Sequence, residues 1–237
     1  MMLAELGELL QVCPSPDADA DEYRRVIVAE NALGKRTLAT RKLTFQRLSE
    51  LYGLDPTIPA FRLLRRLWTN DRTGRPMLAL LVAYARDPLL RVTAAPVLRL
   101  SAGQACDTAK LDAELAERLG QRLNASVRNK VARNAGSTWT QAGFLAGRTG
   151  KVRTHPVVTP PVVALAMVLA SVTGSHGRDM FLSPYAQLLD CPASRLTPLL
   201  QEAHRTGFVS YKQAGDIFEL RFPDLLTPEE EARIHGI

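Results

Sequence analysis

Between Ser126 and Arg153 stand six arginine and lysine side chains, Arg128, Lys130, Arg133, Arg148, Lys151 and Arg153, with no aspartate or glutamate among them. Guanidinium and ammonium groups at this density do one kind of chemistry well: they neutralise phosphate oxygens. At about 100° per residue, positions 127 to 142 sort into two sides. Val127, Val131, Ala135, Thr138, Trp139 and Ala142 make an apolar side, and Asn129, Lys130, Arg133, Ser137, Thr140 and Gln141 make the other. The second set combines charges for phosphates, amides for base edges and hydroxyls that donate to either. Arg128 falls near the apolar flank, where it either reaches a phosphate at the helix edge or lays its stem over the core. Gly136 weakens the helix and is expected to end or bend it. Just beyond, Gly147 and Gly150 frame a basic tip carrying Arg148, Lys151 and Arg153, which is hairpin chemistry.

The charge asymmetry is wider than this stretch. Residues 118 to 178 hold nine Arg and Lys and no acid, within a chain whose formal net charge is +6. A field of one sign over a quarter of the chain attracts polyanions. A second cluster, Lys35, Arg36, Arg41, Lys42 and Arg47, sits on a turn and the first half of the helix after it. It reads either as an extension of the same footprint, through Arg36 and Arg41, or as a solvated face balanced by Glu50.

Other chemistries are poorly served. His155, His176, His204 and His235 are scattered, and none has a Cys, Asp or Glu at ligand spacing. GRTGK at 147–151 lacks the spacing of a phosphate-binding loop and has Val152 where a Ser or Thr is needed. SHGRD at 175–179 places Ser, His and Asp in sequence, which is not triad geometry. Cys13, Cys106 and Cys191 are odd in number and far apart, so neither a disulfide framework nor a zinc site is expected. No cofactor is implied. The most apolar runs, Met77 to Ala85 and Pro161 to Val172, fall short of the roughly 20 residues that span a bilayer. The first ten residues carry acids where a secretion signal needs bases, so the chain reads as cytosolic. Trp68 and Trp139 read as core aromatics, since each sits on an apolar helical face.

The elements that must position the basic residues follow from turn and cap residues. Residues 1–21, with two prolines and alternating small and acidic side chains, read as a flexible lead-in. A helix from Glu22 is expected to close at Gly34, and a second, capped by Thr37 or Thr40, to stop at Gly53. Pro59 opens a third, and Asp87–Pro88 breaks two apolar helices apart. Residues 22–100 therefore read as a helical bundle. Residues 101–158 read as a basic winged-helix-like unit, with Ser126 capping the helix that carries the charges. Residues 159–237 repeat the order of helices followed by two strands, around a turn QAGD at 213–216. The helix from Ser194 carries Leu196, Leu199, Leu200 and Ala203 on one side, and its mixed-charge face argues for protein contact. No fixed period repeats in the sequence.

Three segments in this order, TRKLTFQRLSELYGLDPTIPAFRLLRRLW, LALLVAYARDPLLRVTAAPVL at 78–98 and SVRNKVARNAGSTWTQAGFL at 126–145, resemble the BrxA-type family of bacteriophage-exclusion (BREX) defence systems. The resemblance extends over most of residues 22–222 as a pattern of apolar helical positions. It implies a NusB-like helical core with winged-helix-like elements, DNA binding and a non-enzymatic part in blocking phage replication. The winged unit and tail at the C-terminal end are longer than the family pattern.

The expectation is thus a mainly α protein, a NusB-like helical bundle with winged-helix-like elements carrying short β-hairpins. It would act without catalysis as a double-stranded DNA-binding accessory of a BREX-type system, with other BREX proteins as partners and no membrane. About five phosphates would be neutralised, for a log-log salt slope of about −4 to −5. A protein-interaction scaffold and a sequence-specific transcriptional regulator are the alternatives.

Overall fold

The computed structural model describes residues 1–214 and 217–235, with Ala193, Gln213, Ala214, Ile217 and His235 described by backbone only. The protein is mainly helical, with two antiparallel two-stranded sheets among the described residues. The chain divides into two compact units, one made of Met1–Arg66 and Val82–His155, the other of Leu67–Leu81 and Pro156–Ile237. This differs from the linear partition at residues 100 and 158. Part of the expected bundle belongs with the C-terminal third, where the Asp71 carboxylate accepts a hydrogen bond from the Thr159 hydroxyl and another, at 2.8 Å, from the Gly74 amide.

The first unit begins with α1 (Leu3–Val12), within the lead-in expected to be flexible. Leu6, Leu9 and Leu10 recur at helical spacing and are buried, which gives the segment a face to pack. The Tyr52 hydroxyl donates to the Met1 carbonyl at 2.6 Å, and the Leu3 amide donates to Gln141 Oε1 at 3.0 Å. Asp19 caps α2 (Ala20–Arg24), which passes into a π-helical turn at Arg25–Ala29. That helix closes before Gly34, because Asn31 already takes the left-handed conformation, φ 54°. Thr37 caps α3 (Leu38–Tyr52) by accepting from the Thr40 amide at 3.2 Å, and Gly53 at φ 84° ends it. Helices α4 (Pro59–Asn70) and α5 (Arg75–Arg86) each contribute residues to both units. Asp87 caps α6 (Pro88–Val92), and a break at Thr93 leads to α7 (Ala94–Leu98). Then come α8 (Thr108–Leu119), capped by Asp107, α9 (Ala125–Gln141), β1 (Leu145–Ala146) and β2 (Val152–Arg153).

The second unit is built on α10 (Pro160–Val172), where every residue from Pro161 to Ser171 is buried. A helix apolar on all sides is a core helix. Against it pack a 3-10 stretch (Gly177–Leu182), α11 (Pro184–Gln187) and α12 (Ala193–Arg205), the last burying Leu196, Leu200 and Ala203 as expected. Strands β3 (Ser210–Ala214) and β4 (Ile217–Arg221) pair in the register Ser210↔Arg221 to Ala214↔Ile217. Of the expected QAGD turn, Gly215 and Asp216 lie outside the described residues. Helix α13 (Pro228–His235) follows, and the Glu231 carboxylate accepts from the Phe222 amide at 2.7 Å.

Candidate nucleic-acid interface

Helix α9 positions most of the basic side chains. Its cap is Asn124, whose side chain accepts from the Val127 amide at 2.9 Å; Ser126, the expected cap, already lies inside the helix. Gly136 neither ends nor breaks α9, which runs on to Gln141. The glycine is buried among Leu111 and the methylenes of Lys151, with an ordinary helical backbone. Ala132, Ala135 and Trp139 form the buried side. Trp139 meets Phe144 edge-to-face, with centroids 5.0 Å apart, and its indole N–H donates to Thr93 Oγ1 at 2.9 Å. Val127, expected on the apolar side, is 43% exposed. Twelve residues separate it from Trp139, a rotation of about 120° out of the buried sector.

The hairpin is firmly seated on the same unit. Strand β2 pairs with β1 on one side, Leu145↔Arg153, and on the other meets residues 103–106 through the bridge Ala105↔Val152. The Cys106 amide donates to the Lys151 carbonyl and the Arg153 amide to the Gln104 carbonyl, both at 2.9 Å. Gly147 turns the chain at φ 101°, where a β-carbon would stand 2.3 Å from the Gly150 carbonyl oxygen, so no other residue fits. The tip therefore projects Arg148 and Thr149 into solvent.

The expected site residues separate into those left free and those already used. Asn129, Lys130, Arg133 and Arg148 are exposed, and none has a hydrogen-bond or ion-pair partner among the described residues. Ser137 is exposed beside them and accepts from Gln141 Nε2 at 3.1 Å. Lys151 is half-buried; its ammonium donates to Thr140 Oγ1 at 2.7 Å and to the Gly147 carbonyl at 3.2 Å, so it ties the hairpin to α9. An ammonium has three donors, so one remains for a ligand on this face.

Arg153 corrects the expectation. It is 2% exposed, with Nε donating to the Val97 carbonyl at 3.1 Å, a terminal nitrogen bonded to the Thr154 carbonyl, and the guanidinium 5.1 Å from the Phe144 ring centroid. Residues of β2 alternate sides, and Arg153 takes the inner one, where buried carbonyls need donors. Arg128 is also committed: its guanidinium pairs with Asp112 of α8 at 3.1 Å. In the second cluster Arg41 spends its donors on the Lys35 and Val28 carbonyls at 3.3 and 3.4 Å, and Lys35 pairs with Glu5 at 3.0 Å. Arg47 pairs with Glu50 at 2.8 Å, which leaves Arg36 and Lys42 exposed there. Arg122, exposed in the 3-10 turn just before the Asn124 cap, belongs with the candidates although it lies outside the amphipathic pattern. The acid-free stretch 118–178 was the clue to it.

Among the described residues, no group of three or more His, Cys, Asp or Glu side chains is placed to hold a metal ion, and no helix is long and apolar enough to cross a membrane. No protein-family model matches the chain, and no curated protein or solved structure matches it either.

Proposed function

We propose that the protein binds the backbone of double-stranded DNA without catalysis, presenting the exposed side of α9 to the duplex and the Arg148 tip to flanking phosphates. One observation carries this reading: Asn129, Lys130, Arg133 and Arg148 are all solvent-facing and uncommitted, on a helix and a hairpin joined through Lys151. The order α8, α9, β1, β2, with residues 103–106 alongside β2, supports a winged-helix reading of this part of the chain. In a helix-turn-helix the second helix of the pair lies in the major groove. The uncommitted amide of Asn129 and the hydroxyl of Ser137 would then face base edges, while the cations hold the register. With the resemblance to the bacteriophage-exclusion family, the biological setting we propose is an accessory role in anti-phage defence.

With Arg153 and Arg128 committed to the fold, Arg122, Lys130, Arg133, Arg148 and Lys151 remain for phosphates. Fluorescence anisotropy with a labelled duplex at a series of salt concentrations tests this. Five neutralised phosphates give a log-log slope of about −4 to −5. Replacing Lys130, Arg133 and Arg148 together by Ala should bring the slope to about −2. Absence of binding at low salt, or a slope near zero, overturns the reading.

A further inference from the structure

Within the C-terminal unit, the 3-10 stretch, the link from α11 to α12 and one face of the β3–β4 hairpin line a solvent-open cavity of about 800 Å³. Its origin is in the strand register. Tyr211 pairs with Leu220 and Gln213 with Phe218, so Tyr211, Phe218 and Leu220 share one face of the hairpin. Leu220 is buried, while the Tyr211 and Phe218 rings, nearly parallel at 20° with centroids 6.2 Å apart, line the cavity. Phe181 closes on Phe218 at 5.5 Å. Leu196 and Leu200, one turn apart on α12, form the floor, and Leu182 stands at the wall 71% exposed.

The space opens to solvent, as the exposure of Leu182 shows, so it is a surface cleft and not a void of the interior. It falls within the roughly 300–1,000 Å³ of small-molecule sites. A large apolar side chain as exposed as Leu182, beside three rings, is the kind of surface a ligand covers. Among the described residues, the polar groups of the lining include the carboxylates of Asp179 and Asp190 against the guanidinium of Arg178. That balance disfavours anions, and aromatic faces accept flat rings and cations.

We propose that this cavity is a binding site for a planar aromatic small molecule, neutral or cationic, seated against the Tyr211–Phe218 pair with Leu182 at its edge. The site is separate from the basic side chains of α9, and its test does not involve DNA. Cys191 supplies an internal reporter: it lines the cavity and is half-exposed, whereas Cys13 and Cys106 are buried.

Nile red, a neutral planar dye, is the probe. Its fluorescence should rise and saturate at one dye per chain, and it should slow maleimide labelling of Cys191 by about tenfold at saturation. Anilinonaphthalene sulfonate, which is anionic, should bind at least about tenfold more weakly. Thr197 is exposed on the cavity rim, so Thr197→Trp fills the space from a position the fold tolerates and should weaken Nile red by about tenfold or more with unchanged circular dichroism. Dye uptake that does not saturate, labelling of Cys191 that ignores the dye, or equal affinity in a folded Thr197→Trp variant overturns the proposal. If that variant does not fold, protection of Cys191 in the unaltered protein decides.

Discussion

The Lys151 ammonium donates to the Thr140 hydroxyl at 2.7 Å, laying its stem across Gly136 of α9. A methyl group at 136 would stand 3.6 Å from Leu111 Cδ1 and 3.7 Å from Lys151 Cε, which is ordinary contact. Gly136→Ala should therefore gain the helix propensity difference, about 1 kcal/mol, and raise the urea midpoint. DNA affinity should stay constant, because Asn129, Lys130 and Arg133 are untouched. A lower midpoint would mean that Lys151 cannot share the space.

The basic residues should divide by role. Arg153→Ala takes the guanidinium from the buried Val97 and Phe144 carbonyls, which keep the Leu100 and Thr154 amides as donors, and leaves a buried gap, so it should cost about 2–4 kcal/mol in chemical denaturation. Arg153→Lys should recover little of it, since an ammonium does not reproduce the guanidinium fork. Arg133→Ala should move stability by no more than about 0.5 kcal/mol while weakening binding to duplexes of every sequence. A stable Arg153→Ala with weakened DNA binding would return that residue to the interface.

The difference between Arg133 and Arg153 also marks where sequence reading stops. Helical periodicity locates α9, and a cap at Thr37 or Thr40 and a stop at Gly53 are legible because each satisfies a local backbone group, whereas Asp87–Pro88 shows only as a break and its capping carboxylate comes from the structure. Arg153 is not legible in this way, since its partner Val97 lies 56 residues earlier in the chain and strand alternation alone gives no inward direction. Arg128 was left between two roles that only Asp112, sixteen residues earlier, decides. The cavity was hidden for a related reason: Tyr211 and Phe218 become neighbours only once the register is fixed.

Trp139 is held by more than its area. Its indole N–H donates to Thr93 Oγ1 at 2.9 Å, and that hydroxyl donates in turn to the Leu90 carbonyl at 2.8 Å, so the break between α6 and α7 carries the partner of α9. Thr93→Val leaves a buried N–H unmet and should cost about 1–3 kcal/mol. Trp139→Phe gives up the bond and some packing. In the double variant the costs should fall short of their sum, because the orphaned indole is gone. Strict additivity in denaturation experiments would show that the bond contributes nothing.

Two tyrosines should set the alkaline limit of the first unit. Burial holds the Tyr23 phenol up at about 12, well above the usual value near 10 for a tyrosine, with the neighbouring Arg65 opposing the shift. Burial raises Tyr52 too, and its hydroxyl donates to the Met1 carbonyl, a bond the phenolate cannot make. Both folded values lie above the unfolded one, so the native state keeps protons that the unfolded chain releases. The stabilisation is complete below about pH 10 and falls as pH rises toward 12, by about 1.4 kcal/mol per pH unit for each tyrosine. Phenolate absorbance from these residues should appear together with the loss of helical circular dichroism. Tyr52→Phe, which cannot ionise, should make the decline shallower. Ionisation of both tyrosines near pH 10 with the helices intact would show that neither is sealed from solvent.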